Sequence, residues 1–153
     1  MRILLVEDNS GDVRLIEEAL HSAAVHSQVH VVGDGAEALA YLRREGQYAD
    51  AAAPDLILLD LLLPGKDGRE VLAEIRADPR LRRTPVVMLT SSQEEPDSVE
   101  AYDLGANLFF RKPTVLHEYG ALVRALVKFW STRRATASAS RASRPAGGKA
   151  PPG

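Results

Sequence analysis

Five times within the first 130 residues, a short aliphatic run gives way to a longer stretch with helical spacing. The runs are Arg2–Val6, Gln28–Val32, Leu56–Leu59, Val86–Thr90 and Leu108–Arg111. Most are continuous in Val, Ile and Leu rather than alternating, the pattern of parallel strands covered on both faces. Repeated β-then-α units force right-handed crossovers. They predict an α/β domain with one parallel sheet and helices on both sides.

The intervening segments carry helix starts. Asp34 with Glu37, Asp67 with Glu70, and Ser92 with Glu95 each have capping-box spacing. Val13, Ile16, Ala19, Leu20 and Ala23 form a helical stripe, and so do Tyr119, Leu122, Val123, Leu126, Val127 and Trp130. Phe129 falls off that second stripe and is expected to be exposed, as are Lys66 and Arg69. Gly105 suits a left-handed cap after the helix that precedes the last strand.

Composition limits the rest. With 153 residues, the chain holds one well-buried core and a tail. It has no cysteine, which excludes disulfides and thiolate-held metals. The apolar run Ile3–Val6 is too short for a leader, and nothing approaches a membrane span, so a cytoplasmic location is expected. From Ser131 onward there are five basic residues (Arg133, Arg134, Arg141, Arg144, Lys149) and no acidic one. The Ala-, Ser-, Pro- and Gly-rich composition there predicts a disordered tail over 131–153, after a domain over 1–130. The body is acidic, which argues against broad binding to nucleic-acid phosphates.

Ligands of such sheets sit at the carboxyl edge of the strands. There the sequence places Glu7 and Asp8 after the first strand, Asp60 after the third, Thr90 after the fourth, and Lys112 with Pro113 after the fifth. Three converging carboxylates repel one another unless a proton or cation intervenes. A hard divalent ion with oxygen ligands answers that, and Mg²⁺ so held commonly works with a phosphoryl group. Lys112 and Thr90 supply a cation and a hydroxyl for phosphoryl oxygens, and a carboxylate can itself be the nucleophile.

In this arrangement the sequence resembles the receiver domain of bacterial two-component response regulators. The resemblance rests on Glu7-Asp8, Asp60 with Pro64-Gly65 and Asp67-Gly68 behind it, Thr90-Ser91, Gly105-Ala106 and Lys112-Pro113. The stretches VEDNSGDVRLIEEAL and DGREVLAEIRADPRLRRTPVVMLTSS are similar to the stand-alone regulators that serve bacterial phytochrome histidine kinases. The resemblance implies a doubly wound, flavodoxin-like sheet of order 2-1-3-4-5 and five surrounding helices. It makes Asp60 the phosphoacceptor of a Mg²⁺-dependent reaction. Glu7, Asp8, Asp60 and the backbone carbonyl of Leu62 would serve the metal, Glu7 mainly through water. Thr90 and Phe109 would form the switch, and Lys112 would pair with the phosphoryl group. The family often has Tyr at the Phe109 position and a polar residue at Leu62, so this chain departs at both.

The implied partner is a sensor histidine kinase or phosphorelay protein, with no turnover of an external substrate. A homodimer would form through the helix before the last strand, that strand and the final helix, using Tyr102, Asp103, Arg111, Arg124, Lys128 and Phe129. Three rivals share the fold class or the charge pattern. A flavin module would need a Ser/Thr/Gly-rich loop where Glu7 and Asp8 stand. An aspartyl-phosphate hydrolase would need an acid at Leu62. A DNA-binding regulator would act through the tail, whose charges have no aromatic groups between them. Taken singly, the acids read as solvated loop residues, Lys112 as a surface lysine, Phe109 as core and the histidines as unassigned.

Overall fold

The computed structural model describes residues 1–23, 26–90, 105–113 and 118–142, with residues 132–142 as backbone only. The expected helix over Ser92–Glu95, together with Tyr102 and Asp103, lies outside the described residues. Strands β1 (Arg2–Val6), β2 (Gln28–Val32), β3 (Leu56–Asp60), β4 (Val86–Thr90) and β5 (Leu108–Arg111) form one parallel sheet in the order β2-β1-β3-β4-β5. Helices α1 (Ser10–Ser22), α2 (Gly35–Leu42) and α3 (Gly68–Ala77) and a C-terminal helix (Tyr119–Ala142) surround it.

Residue alternation divides the strands between two cores. Leu4, Val6, Ile57, Leu59, Val86 and Met88 face α2 and α3, meeting Ala38, Leu39, Val71, Leu72 and Ile75. Ile3, Leu5, Leu56, Leu58, Val87 and Leu89 face α1 and the C-terminal helix, meeting Ile16, Ala19, Leu20, Tyr119, Leu122, Val123 and Leu126. The central strands β3 and β4 are buried throughout, which explains their unbroken aliphatic runs, whereas β2 at the edge is mostly open. Each fully buried Leu or Ile contributes about 1.5–3 kcal/mol, so these two layers carry the fold.

The helix starts follow their side chains. Asn9 caps α1 by accepting from the Asp12 amide at 3.0 Å. Asp67 and Glu70 close a complete capping box on α3. Asp34 caps α2 by accepting from the Glu37 amide at 2.7 Å, but the Glu37 carboxylate takes the Tyr48 hydroxyl instead of closing a box. Gly105 has φ +101, the left-handed conformation expected for it. Lys66 and Arg69 are half-buried rather than fully exposed, because Glu74 and Asp67 hold them in ion pairs.

Two expectations about the C-terminal helix need correction. Phe129 packs on the core with α1, while Val127 is 37% exposed. Phe129 stands three residues after Leu126 and seven after Leu122, so it continues the buried stripe that Val127 leaves. The helix also runs on through residues 131–142, where disorder was expected. The segment ends the apolar stripe but is rich in Ala and Arg, both strong helix formers, and has no Pro before Pro145.

Candidate metal and phosphoacceptor site

The carboxyl ends of β1, β3 and β5 open into a cleft of about 310 Å³. Glu7 follows β1 directly, its amide held by the Val32 carbonyl at 3.0 Å, so the acid is fixed between two strand ends. Asp60 is the last residue of β3, one residue longer than expected because Asp60 still pairs with Leu89. Its Oδ1 accepts from the Leu62 amide at 3.1 Å. Lys112 follows β5, and its amide donates to the Thr90 carbonyl at 2.6 Å. Glycine at position 68 lets α3 close on this corner. A Cβ there would lie 2.2 Å from the Asp60 carbonyl oxygen, and the Gly68 amide donates to the Leu61 carbonyl at 3.0 Å.

Carboxylate oxygens of Glu7, Asp8 and Asp60 all lie within 4.8 Å of one another, with Asp8 exposed and the other two buried. The Lys112 Nζ sits among acids, 2.9 Å from Glu7 Oε2, 2.9 Å from Asp60 Oδ2 and 3.0 Å from Asp12 Oδ2. Counting Asp8, the site holds four carboxylates and one ammonium. Burial, then the hydrogen bond with Asp60 and its charge, push the Glu7 carboxyl up to about 7. Burial works against the Lys112 ammonium, but its bonds to Glu7, Asp60 and Asp12 outweigh that and raise its pKa. The site has hard oxygen donors and excess negative charge, so its residues fit a divalent cation such as Mg²⁺.

The other expected residues take graded positions. Leu62 lines the cleft with its side chain 51% exposed. Thr90 ends β4 and is buried. Phe109 is half-buried against the core shared with α2 and α3, opposite Met88 in the β4–β5 register. Asp12 is the residue that sequence reasoning missed. It stands four residues after Asp8 at the start of α1, and that one-turn spacing is the signal that could have found it.

Residues 3–124 match the family model described as the response regulator receiver domain. The chain belongs to the response-regulator receiver family. It is 44% identical over 128 residues to response regulator Rcp1 of Synechocystis sp., covering 84% of this chain and 87% of that one. Among solved structures, the phosphorylated cyanobacterial phytochrome response regulator RcpA matches with a TM-score of 0.79 and 52% identity, over 86% of this chain and 94% of its own. The Mn²⁺-bound form of Rcp1 matches with a TM-score of 0.76 and 43% identity, over 84% and 93% respectively. The receiver domain thus sits among stand-alone regulators associated with phytochromes. Among the described residues, no helix is long and apolar enough to cross a membrane.

Proposed function

We propose that this receiver domain takes a phosphoryl group onto Asp60 from the phosphohistidine of a sensor histidine kinase or relay protein, in a Mg²⁺-dependent reaction. The observation that carries the reading is the Lys112 ammonium 2.9 Å from Asp60 Oδ2, inside a cluster of acids at the carboxyl edge of the sheet. An Asp60 oxygen attacks phosphorus, and the phosphorus–nitrogen bond of the donor breaks with its electron pair returning to the imidazole. Lys112 meets the charge that gathers on the phosphoryl oxygens. With Glu7 acting mainly through water, Asp8, Asp60 and the Leu62 carbonyl would hold the cation. Its chemistry is to neutralise charge between the carboxylates and the incoming phosphoryl group. The Thr90 hydroxyl turns toward the new oxygens, and Phe109 moves into the space it leaves.

The likeness to Rcp1 and RcpA supports a phytochrome-type kinase as the partner. No external substrate is turned over, and the protein works in the cytoplasm. Output passes through protein contacts, including a homodimer across Arg111, Arg124, Lys128 and Phe129. Arg111, Arg124 and Lys128 are exposed, as such a contact requires. Static light scattering with and without beryllofluoride tests the dimer, which a monomer in both states at high micromolar concentration would refute. The central test is mass spectrometry after incubation with acetyl phosphate and Mg²⁺. One phosphoryl mass is expected on the wild type and none on Asp60→Asn. Equal labelling of the variant would remove Asp60 from the role.

A further inference from the structure

Strand β2 lies at one edge of the sheet, and its inner side pairs with β1 residue for residue, from Arg2↔Gln28 to Val6↔Val32. The Gln28 amide donates to the Met1 carbonyl at 2.9 Å, and the Val32 carbonyl accepts from the Glu7 amide at 3.0 Å. Backbone groups point to alternate sides along a strand, so Gln28, His30 and Val32 direct theirs at β1. Val29 and Val31 therefore turn both N–H and C=O outward. Among the described residues, no other strand reaches them.

The two edges of the sheet are built differently. Strand β5 ends on exposed Arg111 and runs into Lys112-Pro113, charge and proline of the kind that keeps a foreign strand away. Strand β2 reads QVHVV, with no charged residue, Pro, Gly or bulge, and its Val31 is 37% exposed. His30 stacks on Tyr41 at 4.4 Å and meets Tyr48 edge-on at 5.8 Å, which braces the strand while His30 stays exposed. Hollows of about 240 Å³ beside His30 and Tyr41, and about 200 Å³ beside Val29 and His21, flank the strand. They give room for the alternating side chains of an added strand.

We propose that this edge pairs with β2 of a second copy of the chain, antiparallel about a twofold axis at His30. With that centre, Val29 of each copy meets Val31 of the other and exchanges both backbone hydrogen bonds, so every outward group of the strand is used. A centre at Val29 or Val31 would leave part of each strand unopposed. The two His30 residues face each other in a position without hydrogen bonds, with Cα atoms about 4.5 Å apart. The same register, continued two residues past the strand, sets exposed His26 of each copy against Asp34 of the other, an imidazole against an acid. The paired strand is only about 17 Å long, so the contact is weak and forms at high concentration. It lies on the opposite edge of the sheet from β5, away from the homodimer face proposed above.

The test uses the full chain, whose lack of cysteine makes a single introduced thiol diagnostic. His30→Cys should form an intermolecular disulfide in oxidised glutathione, because the facing Cα atoms lie within disulfide reach. Val31→Cys is also exposed but faces Val29, so its disulfide should form about tenfold more slowly. Val29→Pro removes an outward N–H and leaves the β1 ladder whole; added to His30→Cys, it should slow the disulfide by about tenfold too. The wild type supplies an arm free of any variant. Its Val29 and Val31 amides should exchange with solvent about threefold more slowly at ~1 mM than at ~20 µM, read by NMR. Failure of His30→Cys to cross-link, faster cross-linking of Val31→Cys, or exchange indifferent to concentration would each overturn a second copy as the occupant. None of these readouts involves Asp60, so a failed pairing leaves the phosphoacceptor reading to its own labelling test.

Discussion

The two ends of the sheet both carry clefts, and the larger one is not the site. At the amino ends of β1–β3, a cleft of about 400 Å³ is lined by Met1, Arg2, His26, Ser27, Gln28 and Asp55. Its one carboxylate and the chain's terminal ammonium both have partners. Asp55 accepts from the Arg2 amide at 2.7 Å, and the Met1 ammonium donates to the His26 carbonyl at 3.0 Å. The carboxyl-end cleft is smaller, at about 310 Å³, yet sets four carboxylates against one lysine. Unbalanced charge, not volume, separates a surface hollow from a site that needs a further ion or group. The chain places the imbalance where strand ends and a helix start converge.

The strongest way to test that contrast is to remove the cation at each end. Lys112→Ala leaves Glu7 and Asp60 buried without their shared partner, and unfolding free energy should fall by about 3–5 kcal/mol in metal-free buffer. Millimolar Mg²⁺ should restore part of the loss, as read from denaturant midpoints. Arg76 does the corresponding work at the amino ends of β4 and β5. It donates to the carbonyls of Gly105, Arg82 and Thr84 and to Asn107 Oδ1, at 2.7–2.9 Å. Arg76→Ala should cost about 2–3 kcal/mol from several lost charge-assisted bonds, with no rescue by Mg²⁺ and unchanged phosphoryl uptake. Rescue of Arg76→Ala by the metal would erase the distinction between the two ends.

A smaller effect sharpens the same point. Mg²⁺ at one hundred times its dissociation constant should stabilise the wild type by about 2.7 kcal/mol, as any ligand of the folded state does. Asp8 is the exposed member of the acid cluster, so Asp8→Asn should keep its fold while losing most of this stabilisation. Thermal melts with and without Mg²⁺ read the difference directly. A wild-type shift in Asp8→Asn would place the cation elsewhere.

Much of this was legible in the sequence, for reasons that differ by residue. The buried strands β3 and β4 announce themselves because both faces must be apolar, and Asp60 breaks such a run at the place where ligands bind. Glu7, Asp8, Thr90 and Lys112 were readable as strand-end residues once the parallel sheet was inferred. Asp12 was not, because an acid in a first helical turn is ordinary and serves the helix dipole. Only the tertiary placement of Lys112 makes it part of the site. Phe129 was misplaced because a stripe drawn through Val127 and one drawn through Phe129 differ by about half a turn. Which one meets α1 depends on how the helices pack. The extension through Ala142 has no apolar signature, so local propensity alone carried the information.

The smallest expected effect concerns the buried hydroxyl of Tyr119, in the core between α1 and the C-terminal helix. Burial, then the charge of Asp12, push the Tyr119 phenol from 10.0 up to about 12. Its folded-state pKa is therefore raised above its unfolded value, so ionisation favours the unfolded chain. The stability tied to the neutral phenol is complete below pH 10 and is lost as pH climbs toward 12. Solvent reaches the neighbouring acid Asp12, which holds the linked change in stability to on the order of 1–2 kcal/mol. Tyr119→Phe has nothing to ionise there and also sheds a buried hydroxyl that has no hydrogen-bond partner among the described residues. It should be more stable than the wild type by about 1 kcal/mol at pH 8. The gap should then widen between pH 10 and 12, as measured by urea midpoints at each pH. Other tyrosines and lysines titrate in the same range, but they are common to both proteins and cancel in the difference. A gap that stays flat with pH would show that the phenol ionises as readily in the folded chain as in the unfolded one. The hydroxyl would then be wetter than its complete burial implies.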